Sequence, residues 1–354
     1  MSSRILGSGE MPELSPIAEL DSMAREGGRF TFRASDRREA EAWQREFRDE
    51  LGRTLGFLDT PKVDPAAVTI EEIDRGDFIR RKVLISTAPG AKMPVYILIP
   101  KGGEGPFAAV IAYAGHGYGA KEIVGLTEDG RERYEPEGYQ KDFAVALCRA
   151  GFVAVTPEIG CFGERREVYA LEGDLAPSTC HNAATYAFML GKSILGSRVR
   201  DGMRLVDYLH TVPEADAARL GVMGISGGGM LTFFHTAVDT RVRACVVSGY
   251  FNTFRESILA INHCTCNFVP GLLSLGEMTD VYGLVAPRPM LVEAGARDTI
   301  FPIGATRRSV ERAREICAVI GGDPSRDVEL DEFDGEHRIS GVRAYDFLME
   351  RIGG

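Results

Sequence analysis

The sequence lacks several features that define large classes of protein. It has no dense run of lysine and arginine, and its formal net charge is −10 at pH 7. Nucleic acids are bound by clustered positive charge, so we expect no nucleic-acid partner. No stretch approaches the roughly 20 apolar residues needed to cross a bilayer, so we expect no membrane partner.

Cysteine and export features are also scarce. The 354-residue chain has 7 cysteines, and an odd, scattered set does not indicate a disulfide framework. Residues 1–20 show no basic segment followed by an apolar core, which is the pattern of a signal peptide. We therefore expect a soluble cytoplasmic protein.

Two regions of different character follow one another along the chain. Residues 1–65 are polar, and Ser35-Asp36 precedes a stretch in which Trp43, Phe47 and Leu51 fall near helical spacing. We predict an N-terminal helical extension there that packs on the core or on a partner subunit, which leaves a homo-oligomer open. Residues 66–354 form the predicted catalytic domain.

Strands alternate with helices through that second region. Residues 69–87 and 93–100 are predicted to be two strands joined by the turn Ala88-Pro89-Gly90, and residues 183–210 a long helix. The later strands are predicted at 107–115, 152–159, 220–225, 243–250, 289–296 and 327–335. This alternation predicts an α/β fold with a mostly parallel sheet, helices on both faces and an antiparallel edge.

The segment Gly224-Ile225-Ser226-Gly227-Gly228 fits the pattern G-x-S-x-G. It lies between a predicted buried strand and a predicted helix, which is the context that a nucleophilic serine on a strained turn requires. Ser226 is therefore the predicted nucleophile. The N–H of Gly227, at the start of the helix, is a predicted oxyanion-hole donor.

A general base and its supporting acid are expected on loops after later strands, in the order Ser, Asp, His. Asp298 follows the strand predicted at 289–296, and His337 follows the one at 327–335. We predict that His337 is the base and that Asp298 orients it. Asp334 and Glu336 are weaker alternatives for the acid.

The loop Ala114-Gly115-His116-Gly117-Tyr118-Gly119 follows the third strand of the second region, where the second oxyanion donor is expected. Its glycines let main-chain amides approach a ligand closely. We favour the N–H of Tyr118, with that of Gly117 as the alternative. His116 is expected to fix the loop by hydrogen bonding.

Several segments together resemble one branch of the α/β-hydrolases. They are GHGYGAKEIVG, CFGERR, MLGKSILGSRVRDGMRLVDYL, GVMGISGGGMLTFF, NHCTCNFVPGLL and LVAPRPMLVEAGARDTIFP, and they span roughly residues 70–350. The sequence resembles the dienelactone-hydrolase-like and acetyl-xylan-esterase-like branch. The resemblance implies a carboxylic-ester hydrolase without metal or other cofactor. Dienelactone hydrolases themselves carry cysteine where this chain has Ser226.

Some further residues are predicted to line the substrate pocket. They are His116, Glu164, Arg165, Cys264, Cys266 and Asn267. Glu164 and Arg165 could instead form a surface ion pair. The segment His263-Cys264-Thr265-Cys266 could suggest zinc. No second pair of ligands lies nearby and Cys180-His181 is far away in sequence, so we predict no metal site.

These features predict a serine esterase acting through an acyl-enzyme on a small-molecule ester of the short acetyl type, with esters of sugars among the candidates. A lactone hydrolase, a peptidase or amidase similar to prolyl oligopeptidase, and a non-catalytic binding protein are the alternatives. About 65 N-terminal residues are too few for the propeller domain of the peptidases.

Overall fold

The computed structural model describes residues 12–170 and 178–354. Within them the strands form one nine-stranded sheet in the order β1-β2-β3-β5-β4-β6-β7-β8-β9. The strands are β1 (Val68–Asp74), β2 (Phe78–Ala88), β3 (Ala91–Pro100), β4 (Phe107–Tyr113), β5 (Val153–Pro157), β6 (Ala215–Ile225), β7 (Ala244–Ser248), β8 (Met290–Gly295) and β9 (Val328–Phe333). Strands β4 to β9 pair in parallel, and β1 to β3 form an antiparallel edge. The predicted α/β fold is confirmed.

Helices cover both faces of this sheet. The α-helices are α1 (Pro16–Arg25), α2 (Arg37–Leu55), α3 (Phe143–Arg149), α4 (Cys180–Met189), α5 (Ile194–Leu209), α6 (Gly227–Val238), α7 (Leu272–Leu275), α8 (Met278–Val285), α9 (Ile303–Ile320), α10 (Pro324–Asp327) and α11 (Ala344–Leu348). Short 3-10 turns lie at Pro12–Leu14, Ala120–Ile123, Gly163–Arg165, Val168–Ala170 and Thr265–Asn267, and a short π-helix spans Met349–Gly353. None of the described helices is both long and apolar enough to cross a membrane.

Two predicted elements are each divided in the structure. The strand predicted at 69–87 is split into β1 and β2 by a tight turn in which Gly76 has φ +93° and donates its N–H to Asp74 at 2.8 Å. The helix predicted at 183–210 is likewise interrupted before α5, where Ser193 Oγ accepts the N–H of Gly196 at 3.0 Å as a helix cap. In both cases a local turn outweighs a continuous apolar pattern.

Alternate residues of the central strands enter two cores. On β4, Ala109 and Ile111 pack on the face that carries α2, α5, α6, α8 and α9. Val110 and Ala112 pack on the face that carries α3 and α11. Burial on both faces is what a parallel strand covered by helices requires, and it explains why these strands are apolar throughout.

The N-terminal extension packs on the core of the same chain, which is one of the two arrangements predicted; the other was packing on a partner subunit. Asp36 caps α2 by accepting the N–H of Glu39 at 2.8 Å, and Phe47 is fully buried. Arg48 donates from Nε to the carbonyl of Ala237 at 3.0 Å and from Nη2 to that of Leu284 at 2.9 Å, at the carboxyl ends of α6 and α8. The boundary at residue 65 stays a prediction.

Helix α1 presents apolar side chains to solvent. Ile17, Leu20 and Met23 are all exposed. The predicted homo-oligomer is not decided by this single chain and stays a prediction.

Candidate active site

Ser226 occupies a strained turn between β6 and α6. It has φ +56°, which is uncommon for a residue with a side chain. A Cβ on Gly224 would lie 2.4 Å from the carbonyl oxygen of Gly228, and one on Gly228 would lie 2.0 Å from that of Tyr113. The backbone can therefore make this turn only with glycine at both positions, as predicted.

The turn brings the serine to the surface of an otherwise buried region. Every residue from Leu220 to Met230 is buried except Ser226. Its main-chain N–H donates to the carbonyl of Ser248 at 3.0 Å, which ties the turn to the carboxyl end of β7. Because Gly227 is the first residue of α6, its N–H has no partner within the helix. A reachable hydroxyl thus adjoins a free main-chain donor.

His337 and Asp298 meet at the same edge of the sheet. His337 Nδ1 lies 2.7 Å from Asp298 Oδ2, on loops that follow β9 and β8. The other carboxylate oxygen of Asp298 accepts the N–H groups of Ile300 at 2.8 Å and Phe301 at 3.1 Å. Asp298 is buried, and these bonds fix the orientation of its carboxylate. Its second oxygen is thereby aimed at the imidazole.

The alternative acids lie elsewhere. Asp334 is exposed and pairs with Arg297, and Glu336 is exposed as well. Neither makes a hydrogen bond to His337 within the described chain. The structure therefore favours Asp298 over both.

The imidazole of His337 is held between two aromatic rings. Tyr139 and Phe301 both stack on it with ring centroids 5.7 Å away. A Cβ on Gly249 would lie 2.8 Å from its Cε1, so the ring also rests against the backbone next to Ser248. Nε2 is buried and has no hydrogen-bond partner among the described residues, and no bond to the Ser226 hydroxyl is formed. Nε2 is the atom left free to exchange a proton.

The loop between β4 and the 3-10 turn at Ala120–Ile123 is held by buried side chains. Gly115 donates its N–H to Gln140 Oε1 at 2.7 Å, and Ala120 donates to Glu158 Oε1 at 3.0 Å. Burial raises the pKa of Glu158 to about 8. Tyr139 donates its hydroxyl to the carbonyl of His116 at 2.7 Å. Tyr139 therefore contacts both this loop and the His337 ring.

One predicted oxyanion donor does not fit this loop. The N–H of Tyr118 already donates to Glu122 Oε2 at 3.2 Å. The N–H groups of His116 and Gly117 have no hydrogen-bond partner in the part of the chain that the structure describes. In this conformation the contact with Glu122 weighs against Tyr118, and the choice of the second oxyanion donor stays a prediction.

The predicted pocket residues fall into two groups. Cys264, Cys266 and Asn267 lie close to His116 and His263: Cys266 Sγ is 3.7 Å from His116 Nε2, and Asn267 Nδ2 is 2.9 Å from His263 Nδ1. Burial, with the neighbouring His116 and His337, lowers the pKa of His263 to about 4.

Glu164 and Arg165 do not lie in the group around His116 and His263, and they do not form an ion pair with each other. Glu164 pairs with Lys82 at 2.7 Å, and Arg165 pairs with the buried Asp201 at 2.8 Å. Both of their predicted roles, pocket lining and mutual pairing, lack support in these contacts.

Sequence reasoning missed Tyr139, and it set Cys180 aside because of its distance along the sequence. Cys180 begins α4, and its Sγ lies with donor atoms of His116, Cys264 and Cys266, all within 4.8 Å of one another. Cys180 is therefore close to the other three residues in space, although it is distant from them in sequence. No sequence signal short of contact information would have joined these segments.

Comparison with known proteins places this chain in a family. A model of the Abhydrolase family matches residues 29–316. The chain is 27% identical over 289 residues to the "Putative hydrolase YtaP" of Bacillus subtilis (strain 168), covering 80% of this chain and 89% of that protein.

Solved structures show the same fold. The "putative acetyl xylan esterase (BF1801)" of Bacteroides fragilis NCTC 9343 superposes with a TM-score of 0.76 at 20% identity, over 96% of this chain and 90% of the other. A glucuronoyl esterase from Solibacter usitatus gives a TM-score of 0.62 at 17% identity, over 87% and 92% of the two chains. With the family model matching most of its length, the chain belongs to the Abhydrolase family of α/β-hydrolases.

Proposed function

We propose that the chain is a serine hydrolase of carboxylic esters that acts through an acyl-enzyme. The observation that carries the proposal is the reachable Ser226 on its strained turn, at the sheet edge where Asp298 and His337 are paired at 2.7 Å. A serine hydroxyl is a weak nucleophile until a base removes its proton. The free Nε2 of His337 supports that role.

In this mechanism His337 Nε2 takes the proton from Ser226 as the oxygen attacks the ester carbonyl. The alcohol leaves with that proton, and water then attacks the acyl-enzyme with His337 again as base. Asp298 accepts from Nδ1, which keeps Nε2 unprotonated at the start of each half-reaction and stabilises the imidazolium that follows.

Two main-chain donors would hold the oxyanion. One is the N–H of Gly227, at the positive end of α6. The other is the N–H of His116 or Gly117, because that of Tyr118 is engaged by Glu122. The ring of His116 adjoins Gly227, where a Cβ would lie 3.0 Å from it, so the loop and the turn are in contact.

Short acyl groups, of the acetyl type, are the substrates we favour. Relatives of the same fold are named acetyl xylan esterase and glucuronoyl esterase, which supports esters borne by sugars. A lactone is an internal ester and would be opened by the same steps, so lactone hydrolysis is the alternative.

The test is hydrolysis of p-nitrophenyl esters from acetate to octanoate. We expect turnover of the short esters by the wild type and a loss of at least about 10⁴-fold in kcat for Ser226→Ala. Ser22→Ala, on the exposed face of α1, is the matched control and should keep full activity. A fluorophosphonate should form one covalent adduct, on the peptide that contains Ser226.

A folded Ser226→Ala variant with wild-type turnover would remove the proposed nucleophile. A wild type that is inactive on every ester and unlabelled by the fluorophosphonate would refute the serine-esterase reaction itself. Lactones would then be assayed under the same conditions.

A further inference from the structure

Four potential metal ligands converge beside the active-site turn from three separate segments. His116 comes from the loop after β4, Cys180 from the first turn of α4, and Cys264 and Cys266 from the loop before α7. One donor atom of each lies within 4.8 Å of every other. All four are carried by described residues, and three of them are thiols without a disulfide.

Two of the separations between donor atoms are close to those of tetrahedral coordination. Zinc–sulfur bonds of about 2.3 Å and zinc–nitrogen bonds of about 2.0–2.1 Å place tetrahedral ligands about 3.5–3.8 Å apart. The Nε2 of His116 is 3.7 Å from Cys266 Sγ, and the sulfurs of Cys264 and Cys266 are 3.3 Å apart. A disulfide would need the sulfurs at about 2.05 Å.

The electrostatic surroundings suit a thiolate cluster. Arg198 is 2% exposed, and its Nη2 donates to Cys180 Sγ at 3.1 Å. It forms no ion pair with a carboxylate among the described residues, although a buried guanidinium needs a compensating negative charge. Zn²⁺ with three thiolates and a neutral imidazole carries one net negative charge, which Arg198 balances.

We propose that His116, Cys180, Cys264 and Cys266 form a structural zinc site. Thiolate and imidazole ligands favour zinc over magnesium or calcium, and four protein ligands fill a tetrahedral shell, so no position is left for substrate. The ion joins the loop that carries the candidate oxyanion amides to the start of α4 and to the 263–267 loop.

The first test is metal content, which requires no substrate and so stands apart from the proposed esterase activity. Full-length protein is purified under reducing conditions, incubated with excess Zn²⁺, desalted and analysed by plasma mass spectrometry. We expect about one zinc per chain, and almost none in the double variant Cys264→Ala/Cys266→Ala. Cys317→Ala, at a buried cysteine of α9 outside the group, is the matched control and should retain the metal.

The second test replaces zinc with Co²⁺. A tetrahedral site with three thiolates should give intense visible d–d absorption and a sulfur-to-cobalt charge-transfer band, both lost in Cys180→Ala. This single variant removes one ligand and keeps the Cys-x-Cys pair, so it separates the four-ligand site from binding by the pair alone.

Three results would overturn the proposal. One is a reduced, folded wild type that takes up no zinc or cobalt. Another is metal content unchanged in the double variant. The third is a peptide map of unreduced, denatured protein that finds two of Cys180, Cys264 and Cys266 joined in a disulfide, because such a pair could not supply two thiolate ligands.

Discussion

Replacing Asp298 by Asn tests the proposed triad with very little change in shape. The asparagine oxygen can still accept the N–H groups of Ile300 and Phe301, which are now 2.8 and 3.1 Å from Oδ1. Its NH₂ group would then face His337 Nδ1, where the carboxylate oxygen lies at 2.7 Å. Nδ1 would have to accept a hydrogen bond, and the imidazole proton would move to Nε2. In that tautomer Nε2 cannot take the proton from Ser226.

The expected loss is about 10⁴-fold in kcat, which corresponds to about 5.5 kcal/mol in the activation free energy. KM should change little, because Asp298 is buried behind His337 and the wrong tautomer affects proton transfer more than binding. The assay is steady-state hydrolysis of p-nitrophenyl acetate near neutral pH. Circular dichroism and a thermal unfolding curve establish that the variant is folded.

Asp334→Asn is the matched control, since Asp334 lies on the same loop as His337 and is exposed. Its activity should equal that of the wild type. A loss of less than tenfold in Asp298→Asn, or a larger loss in Asp334→Asn, would refute the reasoning that Asp298 sets the tautomer of the base.

Three further predictions concern stability and geometry. Phe47→Ala should reduce the free energy of unfolding by about 3–5 kcal/mol in urea titrations, because its ring is fully buried. Arg38→Ala, at an exposed residue of the same helix, should leave the free energy of unfolding almost unchanged. Equal unfolding midpoints for the two variants would contradict the packing of α2. Burial raises the pKa of Glu158 to about 8, so the folded state keeps a proton that the unfolded chain releases near pH 4.5. The contribution of this proton to the free energy of unfolding is fully present below pH 4.5 and is lost as the pH rises through 8. Glu158→Gln should therefore lose less stability between pH 5 and 9 than the wild type or the control Glu135→Gln, at an exposed residue. Parallel curves of stability against pH for the three proteins would contradict the raised pKa of Glu158. Gly249→Ala should lower both the melting temperature and kcat, because its φ is +51° and the new Cβ would lie 2.8 Å from the imidazole; a variant as stable and as active as the wild type would contradict that crowding.

The parts of the fold and site that were predictable are those written in local patterns. Apolar runs marked the parallel strands, and the glycines around Ser226 marked a turn whose strain the structure confirms. The pairing of Asp298 with His337 could be predicted because each residue follows a strand, and the carboxyl ends of parallel strands meet at one edge of the sheet.

The parts that the sequence did not predict depend on individual side-chain contacts and on local turns, which residue patterns do not record. The N–H of Tyr118 was assigned by its position in the loop, but Glu122 turns back and accepts it. The group around Cys180 joins residues up to 150 positions apart, and a periodic pattern carries no information about such contacts. Gly76 shows the smaller error, in which one left-handed residue divides an otherwise continuous strand.

Tyr139 contacts two parts of the candidate active site at once. Its hydroxyl holds the carbonyl of His116 at 2.7 Å while its ring supports the imidazole of His337. If the loop swings away to admit substrate or release product, it must break that hydrogen bond or carry the phenol ring with it. In the second case the loop and the His337 imidazole share one open–closed equilibrium instead of two independent ones. Relaxation-dispersion NMR would report this as a single exchange rate at both places.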